Sequence, residues 1–125
     1  MNRQVDPRNK LDVAQRLATS QNVRFLEIGC GMGYTIEEAM RRGWEPYGLD
    51  VSPDFVREVN DQLGIGTFLG MVNDANYPED FFDIIYVDSV LEHIPQPRST
   101  IAETYRILKP NGMIFLEGTS KIGLH

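Results

Sequence analysis

The chain has 125 residues, a length that predicts a single domain, spanning residues 1–125, with one compact core. With 42% hydrophobic and 24% charged residues, its composition is that of a globular protein and excludes disorder as the default. Acidic side chains outnumber basic ones by 18 to 12, and a net charge of −6 argues against a nucleic-acid partner, which requires a broad positive surface.

Metal-binding and membrane-spanning patterns are missing from the sequence. The single cysteine cannot form an internal disulfide, and the two histidines, His93 and His125, are far apart in the chain, so we predict no metal site. No uncharged apolar run approaches the roughly 20 residues that cross a bilayer. We therefore expect a cytoplasmic protein without a membrane partner.

Strands and helices alternate in the predicted chain order. Apolar residues at helical spacing between Leu11 and Ala18 predict an amphipathic helix within an N-terminal extension, residues 1–22. The predicted strands are residues 23–28, 45–49, 67–72, 83–87 and 113–117, and the later helices are residues 34–42, 53–63 and 99–108. Ser52 is the predicted N-cap of the helix at residues 53–63, with Pro53 at its first position, and Gly64 is predicted to end that helix. The alternation predicts an α/β fold, a doubly wound parallel sheet with helices on both faces and ligands at the carboxyl ends of its strands.

A glycine-rich turn follows the first strand, and it consists of Gly29, Cys30, Gly31, Met32 and Gly33. Glycines let the backbone turn sharply and let a ligand approach the main chain. The third glycine follows the second by two residues rather than three, which disfavours the pyrophosphate of a dinucleotide. Asp50, which ends the second strand, could accept hydrogen bonds from both hydroxyls of a ribose, or it could merely support the turn into Ser52. Its occurrence together with the glycine turn favours a nucleoside as the ligand.

Several motifs occur in order along the chain. They are residues 25–33, Asp50, and residues 73–78, 82–85, 90–94 and 106–112. Together they resemble the S-adenosylmethionine-binding motifs of class I methyltransferases, and the later ones are similar to the small-molecule branch related to quinone-biosynthesis enzymes. The resemblance extends from Val23 to Gly118 and implies a Rossmann-like fold.

The resemblance also implies roles for individual residues. Glu27 and the main chain of the glycine turn would hold the amino-acid end of S-adenosylmethionine, and Asp50 would hold the ribose. Asp74 would accept from the adenine amine, with the Ala75 N–H at a ring nitrogen, although Asp74 could instead begin an Asx turn. The implied cofactor-binding residues are Glu27, Gly29, Cys30, Gly31, Gly33, Asp50, Val51, Asp74, Ala75, Asp88 and Ser89. Cys30 itself is better interpreted as a small packing residue than as a reactive thiol.

His93 is the candidate catalytic residue, because its ordinary pKa of about 6.5 would let it take a proton from an acceptor hydroxyl. The alternative is a loop histidine that holds the turn at Leu91 and Glu92. A sulfonium methyl is already activated, so that transfer chiefly requires an aligned nucleophile.

The leading functional hypothesis is methyl transfer from S-adenosylmethionine to a small-molecule acceptor, which leaves S-adenosylhomocysteine. Residues 88–91 lack the paired prolines and the aromatic residue of enzymes that methylate planar amino groups of bases. Two alternatives remain open. One is a module that binds the cofactor without turnover, and the other is a nicotinamide-dependent oxidoreductase, which the glycine spacing disfavours.

The family fold normally continues past its fifth strand into two more strands, and this sequence stops at His125. We therefore expect a sheet truncated after the fifth strand, in the order 3-2-1-4-5. Residues 113–116 would lie along an apolar edge, and such an edge invites pairing with another chain. The chain is then either a portion of a longer enzyme or one completed by a homodimer or a partner chain at the fifth-strand edge.

Overall fold

The structure is a computed structural model, and it describes residues 7–18, 21–88 and 94–117. Five strands form one sheet in the order β3-β2-β1-β4-β5, and every neighbouring pair is parallel. The strands are β1 (Arg24–Ile28), β2 (Glu45–Asp50), β3 (Phe68–Leu69), β4 (Phe82–Asp88) and β5 (Leu108–Glu117). This order confirms the predicted fold. It places β1 at the centre of the sheet, and the glycine turn follows β1 directly in the chain.

Helices cover both faces of the sheet, as the alternation predicted. They are α1 (Pro7–Leu17), α2 (Tyr34–Arg41), α3 (Pro53–Leu63), α4 (Val72–Ala75) and α5 (Pro97–Ile107). Successive residues of β1 point to opposite faces, so Phe25 belongs to one buried cluster and Leu26 to the other. The first cluster contains residues of α1, α2 and α3, whereas the second contains Val72 of α4 and Ile107 of α5. Each sheet face is therefore closed by its own group of helices.

The ends of α3 follow the sequence signals. The Oγ of Ser52 accepts a hydrogen bond from the Phe55 N–H at 3.3 Å, and Pro53 occupies the first helical turn. Gly64 ends the helix in the left-handed conformation, with φ 69°.

Two elements differ from the prediction. The third strand comprises two residues rather than the predicted 67–72, because Gly70 leaves the extended conformation with φ 143°. Val72, the predicted end of that strand, instead begins α4. At the other edge, residues 109–112 do not separate α5 from β5, since they form an irregularity within a longer β5.

A carboxylate joins three strands at the amino end of the sheet. Asp83 of β4 accepts the Arg24 N–H of β1 at 2.8 Å through Oδ2 and the Lys109 ammonium of β5 at 3.1 Å through Oδ1. The guanidinium of Arg24 lies 4.2 Å from the ring centre of Phe81. These contacts fix the relative positions of the strands at the end opposite the predicted site.

An ion pair between helices holds α1 in place. Arg42, directly after α2, pairs with Glu38 of α2 at 2.9 Å and with Asp12 of α1 at 2.8 Å. Its guanidinium also donates to the main-chain oxygen of Leu11, whose side chain is fully buried.

Across the described ranges, no helix has the length and apolar character to cross a membrane.

Candidate cofactor site

The glycine turn between β1 and α2 depends on three left-handed backbone conformations. Gly29, Gly31 and Gly33 have φ values of 80°, 53° and 84°, which residues with a Cβ rarely adopt. The N–H groups of Gly29 and Cys30 both donate to the main-chain oxygen of Leu49 in β2, at 2.9 and 3.1 Å. The turn is therefore fixed against the neighbouring strand, and α2 begins directly after it.

Asp50 connects the two loops that follow β1 and β2. Its Oδ2 accepts the Gly31 N–H at 3.0 Å, and its Oδ1 accepts the Ser52 N–H at 3.0 Å. Each carboxylate oxygen has a second lone pair, so both can accept a further hydrogen bond. The sequence left two roles open for Asp50, and its contact with Ser52 matches support of the turn. Binding of a ribose stays a prediction that this geometry permits.

A cleft lies beside these loops, at the carboxyl end of the sheet. Its walls come from the ends of β1, β2 and β3, and from α4 and α5. The residues that line it are Ile28, Gly29, Leu49, Asp50, Val51, Gly70, Met71, Val72, Ile94 and Thr100. Mostly apolar walls with one oriented carboxylate suit a flat, partly polar ligand such as a nucleoside.

Glu27 lies in the central strand, one residue before its end, and is only 2% exposed. Carboxylates are rarely so deeply buried unless they are compensated. Only Ile28 separates Glu27 from the glycine turn in the chain, and its contact with the amino-acid end of the ligand stays a prediction.

Cys30 is buried within the glycine turn, opposite Gly48 of β2. Burial above all, together with the charges of Glu27 and Asp50, raises the pKa of its thiol to about 12. A Cβ added at Gly48 would lie 3.5 Å from the Cys30 Cβ and would collide with Cδ1 of Ile36. A protonated thiol in so tight a space supports the packing interpretation and not a reactive nucleophile.

Asp74 and Ala75 lie on α4, and neither is among the residues that line the cleft beside Asp50. Asp74 lines a neighbouring groove, together with Asn73, Gln96 and Ser99. Its N–H donates to the Met71 oxygen at 3.0 Å, as in a single helical turn. The prediction that Asp74 and Ala75 contact an adenine stays a prediction.

Seven residues that line the cleft are not among the predicted ones: Ile28, Leu49, Gly70, Met71, Val72, Ile94 and Thr100. The apolar pattern predicts that Met71 and Val72 belong to the third strand, and only Gly70 marks where that strand ends. Thr100 lies in the first turn of α5, far along the chain from the glycine turn. Only the folding of the chain brings it to the cleft, so no local sequence signal identifies it.

The remaining predicted residues are distributed around the same end of the sheet. Val51 lines the cleft, and Asp88 is the last residue of β4. Gly33 packs against α3, since a Cβ at this position would lie 3.0 Å from Cγ2 of Val59. Ser89 and His93 lie outside the described residues.

Comparisons with known proteins identify relatives of this fold and site. A family model described as "Methyltransferase domain" matches residues 26–116. A ubiquinone biosynthesis O-methyltransferase of Pseudomonas aeruginosa is 30% identical over 99 residues, which cover 74% of this chain and 43% of that protein. The chain thus spans less than half the length of this curated relative.

Solved structures show the same fold. A SAM-dependent methyltransferase of Archaeoglobus fulgidus superposes with a TM-score of 0.71 at 20% identity, over 86% of this chain and 49% of that one. A chain from the Haloferax volcanii complex between a methyltransferase activator and a methyltransferase gives a TM-score of 0.71 at 22% identity, over 89% and 51%.

Proposed function

The chain belongs to the methyltransferase domain family, and on that premise we propose that it binds S-adenosylmethionine in the cleft beside Asp50 and transfers the methyl group to a small molecule. The observation that carries the proposal is the hydrogen bond between the Gly31 N–H and Asp50 Oδ2. It joins the glycine turn, where ligand can approach the main chain, to an oriented acceptor for ribose hydroxyls.

The described residues fit the adenosyl part of this cofactor. The glycine turn is open at Gly31, since nothing lies within 4 Å of a Cβ built there and a ligand could approach the main chain. Asp50 and Val51 would hold the ribose, and the main chain at Met71 and Val72 would lie along the base. Glu27 and the turn at Gly29 would take the methionine end. Cys30, Gly33, Asp74, Ala75, Asp88 and Ser89 complete the proposed cofactor-binding set.

The cofactor supplies an activated methyl group on a sulfonium, so the protein need not create a strong electrophile. The contribution of this chain is to bind and orient. Holding donor and acceptor in line converts a bimolecular reaction into an effectively unimolecular one. S-adenosylhomocysteine is the product that leaves.

The proposed acceptor is a small molecule that presents an oxygen nucleophile. The curated relatives that support this are named O-methyltransferases. The net charge of −6 supports a small acceptor over a nucleic acid.

Calorimetry with S-adenosylhomocysteine tests the binding proposal directly. We expect saturable binding that Asp50→Asn weakens, and no binding of NAD under the same conditions. Selective binding of NAD would overturn the proposal in favour of an oxidoreductase. Methyl transfer is then measured with labelled S-adenosylmethionine and a panel of phenolic acceptors.

A second candidate function is a cofactor-binding module that needs a partner. The observation that favours it is the outer side of β5, which pairs with no strand in the described part of the sheet. Binding of S-adenosylhomocysteine with no methyl transfer to any acceptor, and transfer only after a partner chain is added, would support this candidate.

The role proposed for His93 as a general base is tested separately. His93→Gln removes the titratable group, so a base role predicts a lower kcat and the loss of any kcat inflection near neutral pH. Full turnover by this variant would remove His93 from the mechanism.

A further inference from the structure

One wall of the cleft is built on a helix of a single turn. α4 comprises only Val72–Ala75, and Asn76 ends it in the left-handed conformation with φ 57°. Among the described residues, no side chain caps its amino end. So short a helix is not stable alone, and its position must be set by contacts with the rest of the protein.

Val72 provides the apolar contact. Its side chain is 1% exposed and belongs to the buried cluster on this face of the sheet. Hydrophobic burial is non-directional, so it holds α4 against the sheet without fixing the rotation of the turn.

Asn73 provides the directional contacts, all of them to the first turn of α5. Its Nδ2 donates to the Ser99 Oγ at 2.8 Å and to the Ser99 main-chain oxygen at 3.3 Å. Its Oδ1 accepts from the Thr100 Oγ1 at 3.3 Å. Both ends of the amide are thus engaged by α5, and this fixes how the turn is oriented.

These contacts join two segments that line the same cleft. Met71 and Val72 line it from the α4 side, and Thr100, which is 4% exposed, lines it from α5. As far as the structure describes the lining, Asn73 is not part of it and lies in the neighbouring groove. Asn73 therefore acts on the cleft only through the segments that it connects.

We propose that Asn73 is a positioning residue that joins α4 to Ser99 and Thr100, and that it thereby fixes the main chain of Met71 and Val72 along the base-binding side of the cleft. The identity of the ligand rests on the function proposed above. The connection of α4 to α5 through Asn73 does not depend on which ligand is bound.

The affinity test uses S-adenosylhomocysteine as the probe. Asn73→Ala removes the contacts to α5, and we expect its Kd to rise roughly 3- to 10-fold, the scale of one or two hydrogen bonds. Thr100→Val keeps the shape of the wall but removes one donor, and its effect should be smaller. The double variant should bind no worse than Asn73→Ala, because the second change removes a bond already lost.

Gln62→Ala is the matched control. This change also removes an exposed amide with a side-chain hydrogen bond, here to Glu58 at 2.6 Å, but it lies on α3. Its Kd should equal that of the unsubstituted protein. An equal loss of affinity in this control would overturn the proposal.

Amide NMR shifts of the ligand-free protein separate positioning from a general loss of structure. In Asn73→Ala the signals of Met71 and Val72 should move, whereas those of Gly29 and Gly31 should stay. Unchanged Met71 and Val72 signals with unaltered affinity, or shifts spread over the whole sheet, would overturn the inference. If the unsubstituted protein binds no S-adenosylhomocysteine, the proposed function fails, and these signals still decide the role of Asn73.

Discussion

Gly31 donates its main-chain N–H to Oδ2 of Asp50 at 3.0 Å across 19 positions of sequence. The same carboxylate holds the Ser52 N–H through its other oxygen. One side chain therefore orients the turn after β1 and the turn after β2 together. A ligand that contacts both turns therefore depends on Asp50 for the position of main-chain atoms that the Asp50 carboxylate itself does not contact.

Asp50→Asn is expected to weaken S-adenosylhomocysteine binding by at least roughly tenfold, because the amide nitrogen that replaces one carboxylate oxygen cannot accept a main-chain hydrogen bond and the bond that remains loses its charged acceptor, which makes the stronger bonds. Calorimetry measures the change. Asp54→Asn is the control, since Asp54 is an exposed aspartate that pairs with Arg57 on α3. Equal affinity in the two variants would contradict the role of Asp50.

Gly48→Ala is expected to lower the free energy of unfolding by roughly 1–3 kcal/mol, because the new methyl would overlap Cδ1 of Ile36 in the core. Ile36→Val removes that methyl, so the double variant should be more stable than Gly48→Ala alone. Urea unfolding of the three variants measures this. Strictly additive losses would mean that the two side chains do not meet.

Cys30 should make stability fall at alkaline pH. Its pKa in the fold is raised to about 12 from an ordinary 9.0, first by burial. Between these values the unfolded chain releases the thiol proton and the folded chain keeps it, so the free energy of unfolding declines as pH rises. Below pH 9 the thiol is protonated in both the folded and the unfolded chain, so the stabilising contribution of the buried thiol is fully present.

Cys30→Ala removes this titration and should show a shallower decline in urea unfolding between about pH 8.5 and about pH 10.5. Tyr77, whose pKa burial also raises to about 12, remains in both proteins, so the difference isolates the thiol. Identical slopes would refute the assignment. Rapid alkylation of the native thiol at neutral pH would do the same.

The β5 edge is expected to cause concentration-dependent association. Leu116 is 49% exposed on that strand, beside Ile101 and Tyr105 of α5, which are also exposed. Leu116→Lys places a charge on the edge and should shift the protein toward monomer in sedimentation experiments. Leu69→Lys is a close control, since Leu69 is 50% exposed on β3 at the opposite edge. A monomeric parent protein at high concentration would disprove the expectation.

The succession of strands and helices and the location of the glycine turn could be predicted because they depend on local signals, whereas the order of the strands in the sheet was implied by the resemblance to the family. Alternation of apolar runs, Ser52 with Pro53, and Gly64 each report on their own neighbourhood in the chain. The placement of Asp74 could not be predicted in the same way. The apolar pattern of residues 67–72 is that of one strand, whereas in the fold Gly70 adopts φ 143° and Val72 begins α4.

The same limit applies to Asn73 and Arg42. An asparagine near a strand end has no sequence pattern that names Ser99 and Thr100 as its partners, 26 and 27 positions away. Arg42 similarly contacts Asp12, 30 positions earlier. Contacts of this kind arise from the assembled fold, and only the structure identifies them.

The carboxylate of Asp83, which joins β1, β4 and β5 at their amino ends, also bears on how such a fold can be altered. Its two contacts tie the three strands together on the side of the sheet where no chemistry is proposed. The loop that follows β4 begins at the opposite end, so exchanging it leaves these contacts in place. Grafting a new loop beyond Ser89 is consequently a practical route to altered acceptor specificity, provided that Asp83 and its two partners are retained.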